Sequence, residues 1–163
     1  MCDECGGVVE LKLKVNGVEY VRAVDPGITL LDYLREEIDL TGTKKGCDLG
    51  ECGCCTIHLD GKPVLSCLML AVEGEGHEIT TIEGVASSNQ YHPVQISMVK
   101  EGAIQCGFCT PAMVMNGVYL LSHNNNPSKQ DIKECISGTL CRCTGYTKIE
   151  KAIFEAAKLM GPK

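Results

Sequence analysis

Apolar and polar residues alternate from Val8 to Val24. In "VVELKLKV" the positions Val9, Leu11, Leu13 and Val15 are apolar, the period of a strand with one buried face. Asn16-Gly17 is a two-residue turn signal, and "VEYVRAV" returns, so residues 8–24 read as a hairpin. Asp25-Pro26-Gly27 ends it. The period then lengthens. "ITLLDYLREEI" sets Leu30, Leu31, Leu34 and Ile38 on one helical face, with Thr29 as the N-cap, which reads as core packing. "CTIHL" and "KPVLSCLML", joined by Asp60-Gly61, predict a second hairpin, and "HEITTIEGV" a last short strand. After about residue 85 the pattern turns helical: "HPVQISMVKEG", "TPAMVMNGVYLLSH", "SKQDIKECIS" and "TKIEKAIFEAAKLM". Four short helices with short connections suggest a bundle. The expectation is an α+β chain of two domains, 1–85 and 86–163, linked around Ala86–Tyr91, with frayed ends at Met1–Gly7 and Gly161–Lys163.

Composition narrows the function. The 163 residues carry a formal charge of −6, and apart from Lys44-Lys45 the basic residues are scattered, which argues against a nucleic-acid partner. No apolar run approaches the length of a membrane span, and "MCDECGGVVE" does not read as a secretory signal. Twelve cysteines without an export signal suggest a reducing, cytoplasmic setting in which grouped thiols mean metal or redox chemistry. No nucleophile–base pair, phosphate loop or dinucleotide fingerprint is present, and His58, His77, His92 and His123 have no ligand spacing, so no catalytic residue is expected.

The stretch "ECGCCT" holds three cysteines in four positions. Omitting Cys54, the residues Cys47, Cys52 and Cys55 follow C-x4-C-x2-C, with Cys67 after eleven further residues, the plant-type [2Fe–2S] spacing. Omitting Cys55 instead produces no comparable pattern, so Cys54 is expected to point elsewhere as an apolar filler. A thiolate-held cluster is anionic and needs backbone N–H donors from a tightly curled loop, which Gly46, Gly50 and Gly53 would permit. Zinc is the competing reading, although it favours paired short knuckles.

A second group is split between "QCGFCTP", with Cys106 and Cys109, and "LCRCTGY", with Cys141 and Cys143. Thr110 with Pro111, and Thr144, are candidate caps of helices whose positive ends would face a second anionic [2Fe–2S] centre. Spacing leaves zinc open here, and a structural zinc module or a free two-cluster ferredoxin remain alternatives. Cys2 and Cys5 read as a tail, and Cys135 as a helix filler.

"KKGCDLGECGCCTIHLDGKPVLSC", "GAIQCGFCTPAM" and "SGTLCRCTGYTKI" resemble the signature blocks of the small iron–sulfur subunit of the molybdenum hydroxylases, the xanthine dehydrogenase and aldehyde oxidoreductase family. The resemblance runs from about Val8 to Leu159. It implies a plant-ferredoxin-like β-grasp domain with a [2Fe–2S] cluster on Cys47, Cys52, Cys55 and Cys67. A four-helix-bundle domain would carry a second cluster on Cys106, Cys109, Cys141 and Cys143. It also implies an electron relay between molybdopterin on a large subunit, approached by Gln105 and Cys143, and FAD on a medium subunit, in a dimer of heterotrimers. Cys54, Ala112, Cys135 and Thr139 depart from the family's usual small residue, Gly, Ala and Asn.

Overall fold

The computed structural model describes residues 7–86 and 90–161. Half of the expected linker, positions 87–89, with most of the two ends and with Cys2 and Cys5, lies outside them. Strand β1 (Val9–Val15) pairs antiparallel with β2 (Val18–Val24) in the register the turn predicts, Val15 opposite Val18. Asn16 and Gly17 both take positive φ, 53° and 79°, which a two-residue turn matched to strand twist requires. Leu11, Leu13 and Val15 are buried while Lys12 and Lys14 are exposed; Val9, at the strand end, stays partly exposed. Strands β3 (Thr56–Leu59) and β4 (Lys62–Leu65) form the second hairpin about Asp60-Gly61, and β5 (Glu78–Thr80) is the last strand. The sheet order is β2-β1-β5-β3-β4, antiparallel except for β1 with β5. Both "KPVLSCLML" and "HEITTIEGV" form shorter strands than their patterns predict. The first turns into a 3₁₀ segment at Ser66–Leu68, and the second into another at Ile82–Gly84.

Helix α1 starts at Leu30–Asp32, with the Thr29 hydroxyl accepting from Asp32 N–H at 3.1 Å. It then widens into a π-helical turn, Tyr33–Glu37. Leu30, Leu34 and Ile38 pack on the sheet's inner face with Leu11, Leu13, Ile57 and Ile79. Leu31 does not join them; it packs against Cys55 and Cys67. So the helix does more than fill the core, because one side chain backs a thiol pair.

Helices α2 (Pro93–Lys100), α3 (Thr110–His123), α4 (Lys129–Ile136) and α5 (Thr147–Met160) surround a second core that includes Val94, Met98, Met113, Leu121, Ile132, Ile149 and Ile153. Truncating such a buried side chain to Ala costs about 2–5 kcal/mol. The described residues thus form a mixed sheet with one helix, followed by four more helices.

The two lobes meet where α3 crosses β3. His58, only 6 % exposed, hydrogen-bonds through Nε2 to the Met115 carbonyl at 2.9 Å, and its ring meets Tyr119 edge-on. Nε2 must therefore carry the proton of a neutral ring. Burial holds the His58 pKa below its usual value, and burial does the same at His92. The unfolded chain binds these protons more readily, so stability is lost as pH falls through about 6.5, with a slope approaching about 1.4 kcal/mol per pH unit for each group. Denaturation followed between pH 7.5 and 5 should show this loss, and His58→Gln should flatten part of it.

Candidate metal centres

The first cysteine loop runs from α1 to β3. The Arg35 guanidinium donates to the Thr41 and Thr43 carbonyls at 3.0 and 2.8 Å. Lys45 pairs with Asp32 and Asp48 at 2.9 and 3.1 Å, and Lys44 Nζ donates to the Thr41 carbonyl at 2.8 Å. Both lysines therefore brace the loop. Cys47 Sγ accepts from the N–H groups of Leu49 and Cys52 at 3.4 and 3.3 Å, which lowers its pKa to about 7. This is the donor arrangement expected from a curled loop. Cys55 and Cys67 face each other with sulfurs 3.4 Å apart, and burial pushes Cys55 up to about 12. Cys52 interacts electrostatically with Cys55 and through its side chain with Cys47, although among the described residues no three metal-ligating side chains converge closely enough to hold one ion.

In the second group Cys106 and Cys143 are exposed, with sulfurs 3.5 Å apart. Cys109 is buried, interacts with Cys141 and is pushed up to about 12 by that burial. The Phe108 N–H lowers the Cys106 pKa. Burial acts to raise Cys141, but the hydroxyl and N–H of Thr144 and the N–H of Cys143 prevail and lower it. Neither expected threonine cap forms. Helix α3 begins at Thr110 itself with Cys109 at the N-cap, because the thiol loop runs straight into the helix. Helix α5 begins only at Thr147, after Tyr146 in a left-handed conformation at φ 65°. The Thr144 hydroxyl instead lies 3.1 Å from Cys141 Sγ and accepts from Tyr146 N–H at 3.2 Å. Tyr146 OH in turn accepts from Cys141 N–H at 2.8 Å.

Two thiolates on one tetrahedral metal at about 2.3 Å stand roughly 3.8 Å apart. The 3.4 and 3.5 Å pairs are close to that separation. Each pair, with N–H donors aimed at neighbouring thiols, is compatible with an anionic centre held by sulfur.

The three loop glycines act in different ways. At Gly46 a Cβ would meet Cys52 Sγ at 2.8 Å and the Phe108 ring at 3.3 Å. At Gly50, φ 78°, it would press Leu68 at 2.6 Å. At Gly53, φ 67°, it would overlap the Gly138 carbonyl, in the loop that leads to Cys141. Gly53 thus lets the two cysteine loops touch, and Leu140 N–H closes the contact by donating to the Cys52 carbonyl at 2.9 Å. Cys54 lies at this joint. It is 4 % exposed, its thiol reaches the Cys52 carbonyl at 3.6 Å, and it packs into the helical core with Cys109. Burial raises it to about 12. Cys135, on α4, donates to the Asn116 carbonyl at 3.1 Å, and Thr139 accepts from Asn116 Nδ2 at 3.0 Å. Gln105 is exposed beside Cys106. The contact between the loops could not be read from spacing; the one hint was glycine in both "ECGCC" and "SGTLC".

Two family models cover nearly the whole chain. A 2Fe-2S iron–sulfur cluster binding domain matches residues 13–84, and a [2Fe-2S] binding domain matches residues 81–154. The small subunit of nicotine 6-hydroxylase from Paenarthrobacter nicotinovorans is 44 % identical over 95 % of this chain and 93 % of its own. Subunit gamma of caffeine dehydrogenase from Pseudomonas sp. (strain CBB1) is 47 % identical over 88 % and 87 %. In the crystal structure of quinoline 2-oxidoreductase from Pseudomonas putida 86, one chain superposes with a TM-score of 0.89 at 43 % identity, covering 93 % of this chain and 94 % of that one. These matches define an iron–sulfur protein with two [2Fe–2S]-binding domains in series. The chain belongs to the small electron-transfer subunits of the molybdenum hydroxylases, the xanthine dehydrogenase and aldehyde oxidoreductase family.

The joint can be tested by Gly53→Ala, which combines a left-handed backbone with overlap on Gly138. Destabilisation of at least about 1–3 kcal/mol is expected. Gly61→Ala, also at positive φ but in open space, should cost less. Thermal unfolding of the two variants measures the difference.

Proposed function

We propose that this subunit relays single electrons between two partner subunits through two [2Fe–2S] clusters, one on Cys47, Cys52, Cys55 and Cys67, the other on Cys106, Cys109, Cys141 and Cys143. In this reading residues 1–85 are a ferredoxin-like β-grasp domain and 86–163 a four-helix-bundle domain. The observation that carries the relay is the Leu140 N–H to Cys52 carbonyl hydrogen bond of 2.9 Å, because Leu140 precedes Cys141. A short run of covalent bonds and one hydrogen bond thus joins a thiol of each group. When bound, each cluster supplies one-electron redox chemistry at a potential set by hydrogen bonds to sulfur and by burial.

The chain's own residues divide the task. Leu49 and Cys52 direct N–H groups at the Cys47 sulfur, and Phe108 and Thr144 direct theirs at Cys106 and Cys141. Each group has an exposed rim. Gln105, Cys106 and Cys143 form one, and we assign it to the molybdopterin of a large subunit. Leu49 and Leu68 are the exposed apolar residues beside Cys47 and Cys67, and we assign that rim to a medium subunit carrying FAD. Hydroxylation at molybdenum would send electrons inward at the first rim and outward at the second; reductive dehydroxylation would reverse them. The substrate pocket belongs to a partner. The assembly is read as a dimer of heterotrimers in the cytoplasm. Among the described residues no helix is long and apolar enough to cross a membrane.

Native purification with metal analysis tests this reading. The expected product holds iron and acid-labile sulfide in equal amounts, travels with two larger chains, and shows two distinct paramagnetic signals on reduction. A lone chain with both clusters would favour a free carrier, and zinc without sulfide would sink the relay. Within the first loop, Cys55→Ala should abolish one signal and Cys54→Ala neither; equal loss in both variants overturns the ligand assignment.

A further inference from the structure

Among the described residues two buried side-chain oxygens have no hydrogen-bond partner, Tyr33 OH and Thr43 Oγ1. A buried hydroxyl in that state has lost its water without regaining a partner, which points to an acceptor. The two oxygens sit in different surroundings. Tyr33 belongs to the sheet core and feels Arg22, Glu37 and Tyr20, away from the cysteines.

Thr43, 2 % exposed, lies in the first cysteine loop, four residues before Cys47. Three contacts locate it. The next residue's N–H, on Lys44, donates to the Cys54 carbonyl at 3.3 Å, which lays Thr43 alongside the Cys54-Cys55 segment. Arg35 grips the Thr43 carbonyl at 2.8 Å. Arg35 stands one turn after Leu31, the α1 side chain that packs on Cys55 and Cys67. The carbonyl of Thr43 is therefore occupied by the arginine, while its hydroxyl is buried without an acceptor in the loop that carries Cys47, Cys52 and Cys55.

We propose that Thr43 Oγ1 donates a hydrogen bond to a sulfur of the cluster held by Cys47, Cys52, Cys55 and Cys67, and so raises the reduction potential of that centre. This rests on the cluster assignment above. A donor stabilises the more negative, reduced state more than the oxidised one, which sets the sign. Thr43 is then a positioning and tuning residue, not a ligand.

The test uses the whole complex carrying Thr43→Val, which keeps the shape and removes the hydroxyl, and Thr43→Ser, which restores it. The first-site signal is the one lost in Cys55→Ala. In Thr43→Val its potential should shift to more negative values, and its deuterium-exchangeable proton coupling should lose one component. The second signal should stay where it is, and Thr43→Ser should recover both properties. An unchanged potential and full proton coupling in Thr43→Val overturn the proposal. So does a shift shared by both signals, which would report general loosening. If the wild-type complex itself lacks iron and sulfide, the relay reading has failed, an outcome distinct from either of these.

Discussion

The backbone hydrogen bond from Leu140 to Cys52 is the constraint on which the arrangement of the two lobes turns. It forms only if two loops from different lobes approach to backbone contact, and a side chain at residue 53 would hold them apart. The peptide N–H of Leu140 and the carbonyl of Cys52 satisfy each other there and so tie the two loops together. The joint is then reinforced on both sides. Cys54 enters the helical core beside Cys109, and the Phe108 ring approaches Gly46 and Cys52. Further away His58 and Met115 make a second bridge between sheet and helix. One-electron transfer depends steeply on distance, so a contact that fixes the spacing of two sulfur groups bears directly on the subunit's role.

The thiols are set in opposed environments. Cys47, Cys106 and Cys141 are pulled toward the thiolate, Cys47 and Cys106 by backbone N–H groups and Cys141 by the Thr144 hydroxyl and N–H. Cys55 and Cys109 are pushed toward the thiol by burial. A metal bound at the proposed sites would resolve the conflict, because its charge would compensate the buried sulfurs while the N–H groups spread the remaining negative charge. Cys54 and Cys135 also carry raised values from burial, but they have carbonyl acceptors and no facing sulfur pair of the kind seen at Cys55 and Cys67. Burial alone therefore does not single out the proposed ligands.

Much of the fold was legible along the chain. Alternation and turn residues are local features, and the two hairpins, the Thr29 cap and four helices follow from them. The differences have two sources, a competing contact close by in the chain at the two threonines and a long-range one at Leu31. Thr110 and Thr144 were sound caps by sequence, but Cys109 occupies one N-cap, and Thr144 is drawn to Cys141 and Tyr146. The α1 stripe was read as one face, but the turn at Tyr33 widens and Leu31 is turned to the thiols.

By itself the sequence determined the class of chemistry. Thiol spacing reflects the reach of a short loop around a small cluster, and that reach is a property of neighbouring residues. The tertiary structure alone decided what each loop residue faces. Gly53 answers to Gly138 and Cys54 to the helical core, because these contacts join segments far apart in the chain and leave no periodic trace in it.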